Sequence, residues 1–157
     1  MLPIFSSIIS WYFKKRIEEV QNAIDHPIRT QESVFKELIE HGVHTDFGKE
    51  YDFKSIRNMD DFRQRVPVQD YEDIKPYIQR MMNGEQNVLW PTEIKWFAKS
   101  SGTTSDKSKF IPVSFEALEG CQFKGGRDML TFYCHNHPNT RIFEGKGLIL
   151  GGSHQVN

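Results

Sequence analysis

The chain of 157 residues is long enough for one domain with a hydrophobic core. Hydrophobic and charged fractions of 38% and 26% are those of an ordinary globular protein, and an aromatic fraction of 13% favours a pocketed core over a disordered tail. The net charge of −1 argues against a general nucleic-acid binder.

The first 29 residues are predicted to form an amphipathic helix segment. Leu2–Phe13 is the most apolar run of the chain, and the basic residues 14–16 follow it. The run is too short to span a bilayer, and a signal peptide would carry its positive charge before the apolar residues. We expect a helix that ends near Asp25 and packs against its own protein rather than on a membrane. Its apolar positions are Phe5, Ile8, Tyr12, Ile17, Val20 and Ile24.

Three shorter helical segments are predicted next. Thr30 is a suitable N-cap, and the helix that begins there is expected to end at Gly42. A single helical turn is expected at residues 45–48. A further short helix should run from Met59 to Arg65, because the following Val66-Pro67 disfavours helical backbone.

Pro76 is predicted to divide the next segment into two parts. We expect a turn from Asp70, then a helix from Pro76 to about Asn83 that Gly84 terminates. Arg80 on this helix is either a ligand-facing cation or part of a solvated face, and the solvated face is the preferred interpretation.

Two short strands are predicted to flank a polar stretch from Lys99 to Lys109. The alternation of residues 94–99 has the period of a strand, and residues 110–113 are typical of a second strand. Pro112 indicates an edge or a strand end. The expected structure is an antiparallel hairpin. Its loop is neither a Walker loop, which needs G-x-x-x-x-G-K-[ST], nor a nucleophile elbow, which needs G-x-S-x-G.

The loop of this hairpin has the composition of a phosphate-binding segment. Four lysines against one aspartate give residues 95–109 a local charge of plus three. Hydroxyl groups can donate to phosphate oxygens, Gly102 lets the backbone approach, and lysine supplies a mobile positive charge. The alternative is a solvated hairpin turn. The hydroxyl groups around Gly102 are those of Ser100, Ser101, Thr103, Thr104 and Ser105.

A long helix is predicted from its cap at Ser114 to Tyr133. Gly125 and Gly126 in its middle each cost about 1 kcal/mol relative to alanine. We therefore expect a close helix or strand crossing there, or a bound ligand, with the crossing preferred. Residues 145–152 then predict a strand between glycines, apolar on both faces as in the centre of a large sheet.

The two cysteines are predicted to be free thiols. Cys121 and Cys134 lie about 20 Å apart on a continuous helix, too far for a disulfide. Free thiols are typical of a reducing cytosol, and we predict a cytoplasmic protein. The Cys-His-Asn-His run at residues 134–137 lacks a second ligand pair at a zinc-site spacing, so no metal site is predicted.

The loop also resembles a known family. Ser100-Ser101-Gly102-Thr103-Thr104 followed by Lys109 resembles the ATP-phosphate loop of the adenylate-forming superfamily, which includes acyl-CoA synthetases and firefly luciferase. The longer spacing from Gly102 to Lys109, with Pro112 three residues on, is similar to that of the auxin-responsive acyl-acid–amido synthetases. Asp106 departs from the glycine that plant members often have. Other matching segments, in the family's order, are Thr45–Lys49, Val66–Val68, Tyr71–Ile74, Ile78–Gly84 and Trp90–Pro91.

The resemblance implies an α+β fold in which a helical first half precedes the hairpin, the long helix and a further strand. Residues 1–157 would form a single partial domain, the N-terminal part of a larger adenylate-forming domain. The adenine, ribose and acyl-binding segments would lie beyond Asn157. We therefore expect the chain alone to be a catalytically inactive fragment. It should self-associate through the strand at residues 148–150, the post-loop helix, or both.

The resemblance also implies an activity. The complete enzyme would activate a carboxylic acid as an acyl-adenylate with ATP and transfer it to an amine, usually an amino acid. Lys109 would be catalytic, because it offsets charge on the departing pyrophosphate, and Mg²⁺ would bridge the phosphates. No nucleic acid or membrane partner is expected. The alternative is a stand-alone, non-catalytic helical binding module. The implied ATP-binding residues are Ser100, Ser101, Gly102, Thr103, Thr104, Ser105 and Lys109.

Overall fold

The computed structural model describes residues 3–100, 108–140, 142, 146 and 148, apart from the side chains of residues 3–11 and 14. These residues form a mostly helical unit with one two-stranded antiparallel sheet, which agrees with the predicted mixture of helices and strands. The helices are α1 (Pro3–Asp25), α2 (Pro27–Gly42), α3 (Asp46–Glu50), α4 (Met59–Arg65), α5 (Tyr71–Met82), α6 (Phe115–Ala117) and α7 (Lys124–Asn136). The strands are β1 (Trp96–Lys99) and β2 (Phe110–Val113); a 3-10 turn covers Phe53–Ser55 and a π-helical segment covers Leu118–Phe123.

The N-terminal helix α1 packs against α7, as predicted for a helix that contacts its own protein. Arg16 donates two hydrogen bonds to the carboxylate of Asp128, from Nε at 2.5 Å and from Nη2 at 2.7 Å. The guanidinium holds the pKa of Asp128 below its ordinary value, because it bonds to the ionised form. No helix in the described part of the chain has both the length and the apolar character needed to cross a bilayer.

The second helix, α2, begins at Pro27, three residues before the predicted cap at Thr30. Proline is well suited to the first helical position, where a backbone N–H would have no intrahelical acceptor. Thr30 is therefore inside the helix, and its hydroxyl donates to the carbonyl of His26 at 3.0 Å. The predicted end at Gly42 is confirmed.

The turn between α2 and α3 is a close backbone contact. Thr45 caps α3: its Oγ1 donates to the carbonyl of Gly42 at 2.7 Å and accepts the N–H of Gly48 at 2.9 Å. A Cβ atom placed on Gly48 would lie 2.0 Å from the Gly42 carbonyl oxygen, so only glycine fits. The helical turn predicted at residues 45–48 is confirmed and continues to Glu50.

Two apolar clusters form the core. The first contains buried Ile39, Phe53 and Ile56, packed against partly buried side chains that include Phe35, Phe47 and Phe62. The second contains buried Met81, Val88 and Ile94, and it receives Tyr77 from α5 and Phe97 from β1. The second cluster therefore holds α5 against the hairpin.

The fifth helix, α5, runs continuously from Tyr71 to Met82, so the predicted division at Pro76 is wrong. Asp70 and Asp73 form a capping box: each carboxylate accepts the other residue's backbone N–H, at 3.1 Å and 2.9 Å. This box starts the helix upstream of Pro76. The proline then removes one backbone hydrogen bond, to the carbonyl of Glu72, instead of ending the helix.

The two strands pair as the predicted antiparallel hairpin. Trp96 lies opposite Val113, and Lys99 lies opposite Phe110. Pro112 is compatible with its place in β2, because each strand of a two-stranded sheet is an edge strand and proline is tolerated there.

The long helix predicted after the hairpin is present, but a π-helical segment interrupts its α-helical backbone. Ser114 caps it as predicted, with Oγ accepting the N–H of Ala117 at 3.1 Å. The backbone then widens into the π-helical segment before α7 continues to Asn136. A Cβ atom placed on Gly125 or Gly126 meets no heavy atom within 4 Å, so the described residues make no close crossing at these glycines.

The remaining predictions for this part concern its thiols and its last strand. Cys121 is exposed, Cys134 is half-buried, and both are free, as predicted. The strand predicted at residues 145–152 lies outside the described residues except for Lys146 and Leu148, neither of which is in a strand.

Candidate functional site

The candidate site is the hairpin loop, of which the structure describes both ends. Ser100 follows β1, while Ser108 and Lys109 precede β2. The other predicted site residues lie outside the described residues: Ser101, Gly102, Thr103, Thr104 and Ser105. Ser100 and Lys109 are therefore the two predicted site residues that the structure brings together.

Two hydrogen bonds join the ends of the loop. The N–H of Ser100 donates to the carbonyl of Lys109 at 2.9 Å, and the N–H of Lys109 donates to Ser100 Oγ at 3.0 Å. Because Ser100 Oγ accepts in this bond, its own proton can be donated to an anion. The bonds extend the ladder past the Lys99–Phe110 pair and fix where the loop leaves the sheet.

Tyr71, the first residue of α5, contacts the same end of β2. Its Oη accepts the N–H of Phe110 at 2.9 Å and donates to the carbonyl of Phe110 at 3.3 Å. Its ring lies beneath Lys109, with Nζ 5.3 Å from the ring centroid, within the range of a cation–π contact. The sequence matched Tyr71 only as part of a motif and assigned it no role.

A cleft of about 660 Å³ opens between α5 and the start of β2. Its apolar wall includes Tyr71, Ile78, Met82 and Phe110, and its polar wall includes Glu72, Lys75, Gln79, Asn83, Ser108 and Lys109. Glu72 is paired with Lys75, with Oε2 to Nζ at 2.5 Å, and this hydrogen bond raises the pKa of Lys75. Lys109 has no carboxylate partner within the described ranges, so the cleft carries an excess positive charge beside the loop.

Arg80 occupies a structural position away from this cleft. It forms ion pairs with Asp46 and with Glu85, and the latter pair lowers the pKa of Glu85. Arg80 stays partly exposed, as the preferred solvated face predicted, and its ion pair with Asp46 also ties α5 to the start of α3. Glu85 is a local partner, five residues on, whereas Asp46 lies in a different helix, 34 residues away, which local sequence spacing could not reveal.

The described residues contain no group of three or more His, Cys, Asp or Glu side chains placed to hold a metal ion. Of the described residues that line the cleft, the carboxylate of Glu72 is the only acidic group, and Lys75 already neutralises it. The site thus presents cationic and hydroxyl groups, which suit an anion such as phosphate.

Comparison with protein-family models identifies the family of this chain. The family model described as GH3 family N-terminal domain matches residues 16–157. The chain belongs to the GH3 family. This confirms the resemblance to acyl-acid–amido synthetases that the loop and its ordered neighbouring motifs predicted.

Curated relatives in the GH3 family are named synthetases and ligases. The chain is 32% identical to indole-3-acetic acid-amido synthetase GH3.2 of Arabidopsis thaliana over 106 residues, covering 67% of this chain and 19% of that protein. It is 30% identical to jasmonoyl--L-amino acid synthetase JAR6 of Nicotiana attenuata over 107 residues, covering 68% and 18%. For 4-substituted benzoates-glutamate ligase GH3.12 of Arabidopsis thaliana the identity is 29% over 150 residues, covering 95% and 24%.

Solved GH3 structures have a similar fold. The GH3.15 acyl acid amido synthetase aligns with a TM-score of 0.62 at 26% identity, covering 74% of this chain and 20% of that chain. The AtGH3.15 acyl acid amido synthetase in complex with 2,4-DB aligns with a TM-score of 0.67 at 24% identity, covering 78% and 21%. The chain spans about a fifth of the length of the relatives that it matches.

Proposed function

We propose that this chain supplies the nucleotide-phosphate loop of an ATP-dependent acyl-acid–amido synthetase. In the complete protein, a carboxylate oxygen of the acid attacks the α-phosphorus of ATP, and the bond to pyrophosphate breaks. The amine nitrogen of an amino acid then attacks the acyl carbon, the bond to AMP breaks, and the nitrogen loses a proton. The products are an amide, AMP and pyrophosphate. Membership of the GH3 family and the ligase names of the relatives support this reaction.

The observation that carries the phosphate assignment is the position of Lys109. Its ammonium group lies at the rim of a cleft, without a carboxylate partner in the described part of the chain, and its backbone is bonded to Ser100. A cation so placed can offset the charge that develops on pyrophosphate as it leaves. The hydroxyl and backbone groups of the loop would hold the β- and γ-phosphates: Ser100, Ser101, Gly102, Thr103, Thr104 and Ser105.

Magnesium is expected to accompany the nucleotide and to neutralise part of its phosphate charge. The described cleft residues offer no unpaired carboxylate for the ion, because Glu72 is bonded to Lys75. The role assigned to Lys109 is independent of the ion.

We further propose that residues 1–157 form one part of a larger adenylate-forming domain rather than a separate module. Every buried apolar side chain among the described residues lies between Ile39 and Ile94. The hairpin and the helix after it therefore contribute little buried apolar surface. The free thiols of Cys121 and Cys134 favour a reducing compartment and support a cytoplasmic location.

The test is acid-dependent exchange of labelled pyrophosphate into ATP by the complete protein that contains this chain. The probe acids are indole-3-acetic acid and a 4-substituted benzoate, followed by mass spectrometry of the product formed with glutamate. We expect exchange with at least one acid, and an amide only when the amino acid is added. No exchange with either acid and no binding of Mg-ATP would contradict the proposal.

A further inference from the structure

Tyr71 contacts Lys109 with its ring and the residue after Lys109 with its hydroxyl group. The hydroxyl group bonds to both backbone groups of Phe110, the residue after Lys109, at 2.9 Å and 3.3 Å. The ring face lies 5.3 Å from Lys109 Nζ. One side chain, 39 positions from Phe110 in the sequence, thus contacts the backbone beside Lys109 and the cation itself.

The position of Tyr71 is itself fixed by local structure. It is the first residue of α5, directly after Asp70, whose carboxylate accepts the N–H groups of Glu72 and Asp73. The capping box therefore determines where the helix begins and where its first side chain projects. The other end of α5 is held by the second apolar cluster through Met81.

Tyr71 is not needed to complete the core. Neither apolar cluster contains it, whereas Tyr77 on the same helix packs in the second cluster. Tyr71 instead lines the cleft together with Lys109. Its contacts are therefore directed at the candidate site.

We propose that Tyr71 is a positioning residue for Lys109, a role that rests on the proposed phosphate function of the loop. A lysine side chain has several rotatable bonds, and its ammonium group has no fixed direction of its own. The Tyr71 hydroxyl fixes the backbone from which this side chain starts, and the ring attracts its charged end. Together they hold the ammonium group beside the loop before the nucleotide arrives, so less ordering is required in the transition state.

The test measures kcat and KM for ATP in the complete protein for four variants. Tyr71→Phe removes the hydroxyl and keeps the ring, Tyr71→Leu removes both, Lys109→Ala removes the cation, and Tyr71→Leu/Lys109→Ala combines the last two. Tyr77→Phe is the matched control, because it removes the same hydroxyl from the same helix. That hydroxyl donates to Glu50 at 2.7 Å, away from the loop.

The expected losses rank in a fixed order. Tyr71→Phe lowers kcat by about threefold to tenfold and Tyr71→Leu by about tenfold to thirtyfold, with KM for ATP changed by less than about twofold. The double variant is no slower than Lys109→Ala within about twofold, because Tyr71 acts through that lysine. Tyr77→Phe keeps both constants within about twofold of the parent protein even if its melting temperature falls.

Other results overturn the inference. If Tyr71→Leu lowers kcat as much in the Lys109→Ala background as in the parent protein, Tyr71 does not act through Lys109. The same holds if both Tyr71 variants behave like Tyr77→Phe. In either case Tyr71 is only structural while the loop assignment stands. If Tyr71→Leu does not fold, the same cycle with Tyr71→Phe decides, since that variant keeps the ring. If Lys109→Ala itself changes neither constant, the proposed function fails and the role of Tyr71 fails with it.

Discussion

The region before the hairpin and the region that begins with it are built in different ways. Between α2 and β1, helical glycines, caps and aromatic rings meet partners within the chain: Gly48 lies against the Gly42 backbone, and the Thr45 hydroxyl both donates and accepts a hydrogen bond. From β1 onward, six large apolar side chains among the described residues are more than half exposed. They are Trp96, Ile111, Phe115, Phe123, Met129 and Leu148.

The same contrast holds for the helical glycines and for one buried polar atom. Gly120, Gly125 and Gly126 face open space, and the buried Thr131 hydroxyl has no hydrogen-bond partner within the described residues. The first region is thus stabilised by its own contacts, and the second presents surface on which contacts remain to be made. The candidate site lies at their junction, where Tyr71 of α5 contacts the start of β2.

The largest effect that tests this contrast is expected from a pair of matched glycine substitutions. Gly48→Ala should lower the free energy of unfolding of the chain by at least about 3 kcal/mol, because its Cβ would lie 2.0 Å from a backbone oxygen. Gly126→Ala should instead raise it by about 0.5 to 1 kcal/mol, because the added methyl meets open space in a helix. Urea unfolding followed by circular dichroism measures both.

Equal effects of the two glycine substitutions would contradict the contrast between the regions. A strongly destabilising Gly126→Ala would mean that something already packs at that glycine. A harmless Gly48→Ala would mean that the α2–α3 turn is looser than its contacts indicate.

The exposed apolar surface of the second region predicts that copies of the chain associate through it, and substitutions in the two regions can test this. We expect the isolated chain to self-associate, and Phe123→Lys, which places a charge on the π-helical segment, should weaken this by about tenfold. Val68→Lys is the control, because Val68 is fully exposed but lies in the first region. Light scattering over a concentration series measures the change. A monomer at all concentrations, without binding of a hydrophobic dye, would refute the expectation.

The smallest expected effect concerns the contact between α1 and α7. Arg16 lowers the pKa of Asp128 in the folded chain, so the folded state binds this proton less readily than the unfolded state. The stabilisation is fully present above about pH 4, the ordinary pKa of an aspartate, and is lost as the pH falls through the lower folded value. Asp128→Asn should cost about 1 kcal/mol at neutral pH and little at pH 2.

Urea unfolding at both pH values measures the Asp128 effect. Glu40→Gln is the control, since the Lys36–Glu40 pair is exposed and its atoms are 3.7 Å apart. We expect it to change stability by less than about 0.5 kcal/mol. An Asp128→Asn loss that is the same at both pH values would show that the side chain acts through packing rather than charge.

Local sequence signals predicted the elements whose ends are determined locally. The end of α2 at Gly42, the bounds of α4, the cap at Ser114 and the hairpin followed from caps, proline positions and alternation. The division predicted at Pro76 was wrong, because the capping box of Asp70 and Asp73 starts the helix before the proline.

The site was predicted from its motif but not from its contacts. The spacing between Ser100 and Lys109 predicted a phosphate loop, and that assignment stays a prediction; the family match confirms the resemblance that the motifs indicated. The positions of Arg80 and Tyr71 depend on tertiary partners, Asp46 and Phe110, that lie more than 30 residues away in the sequence. No local periodicity carries that information.

The central claim, that Lys109 stabilises the departing pyrophosphate, is tested most directly by Lys109→Ala in the complete protein. Steady-state kinetics should show kcat for adenylation lowered by about 10²-fold to 10³-fold, with KM for ATP changed by less than about threefold. Lys95→Ala is the control, because Lys95 pairs with Glu93 and lies before β1. An unchanged kcat with a raised KM would make Lys109 a simple binding residue, and no change in either constant would contradict the phosphate assignment of the loop.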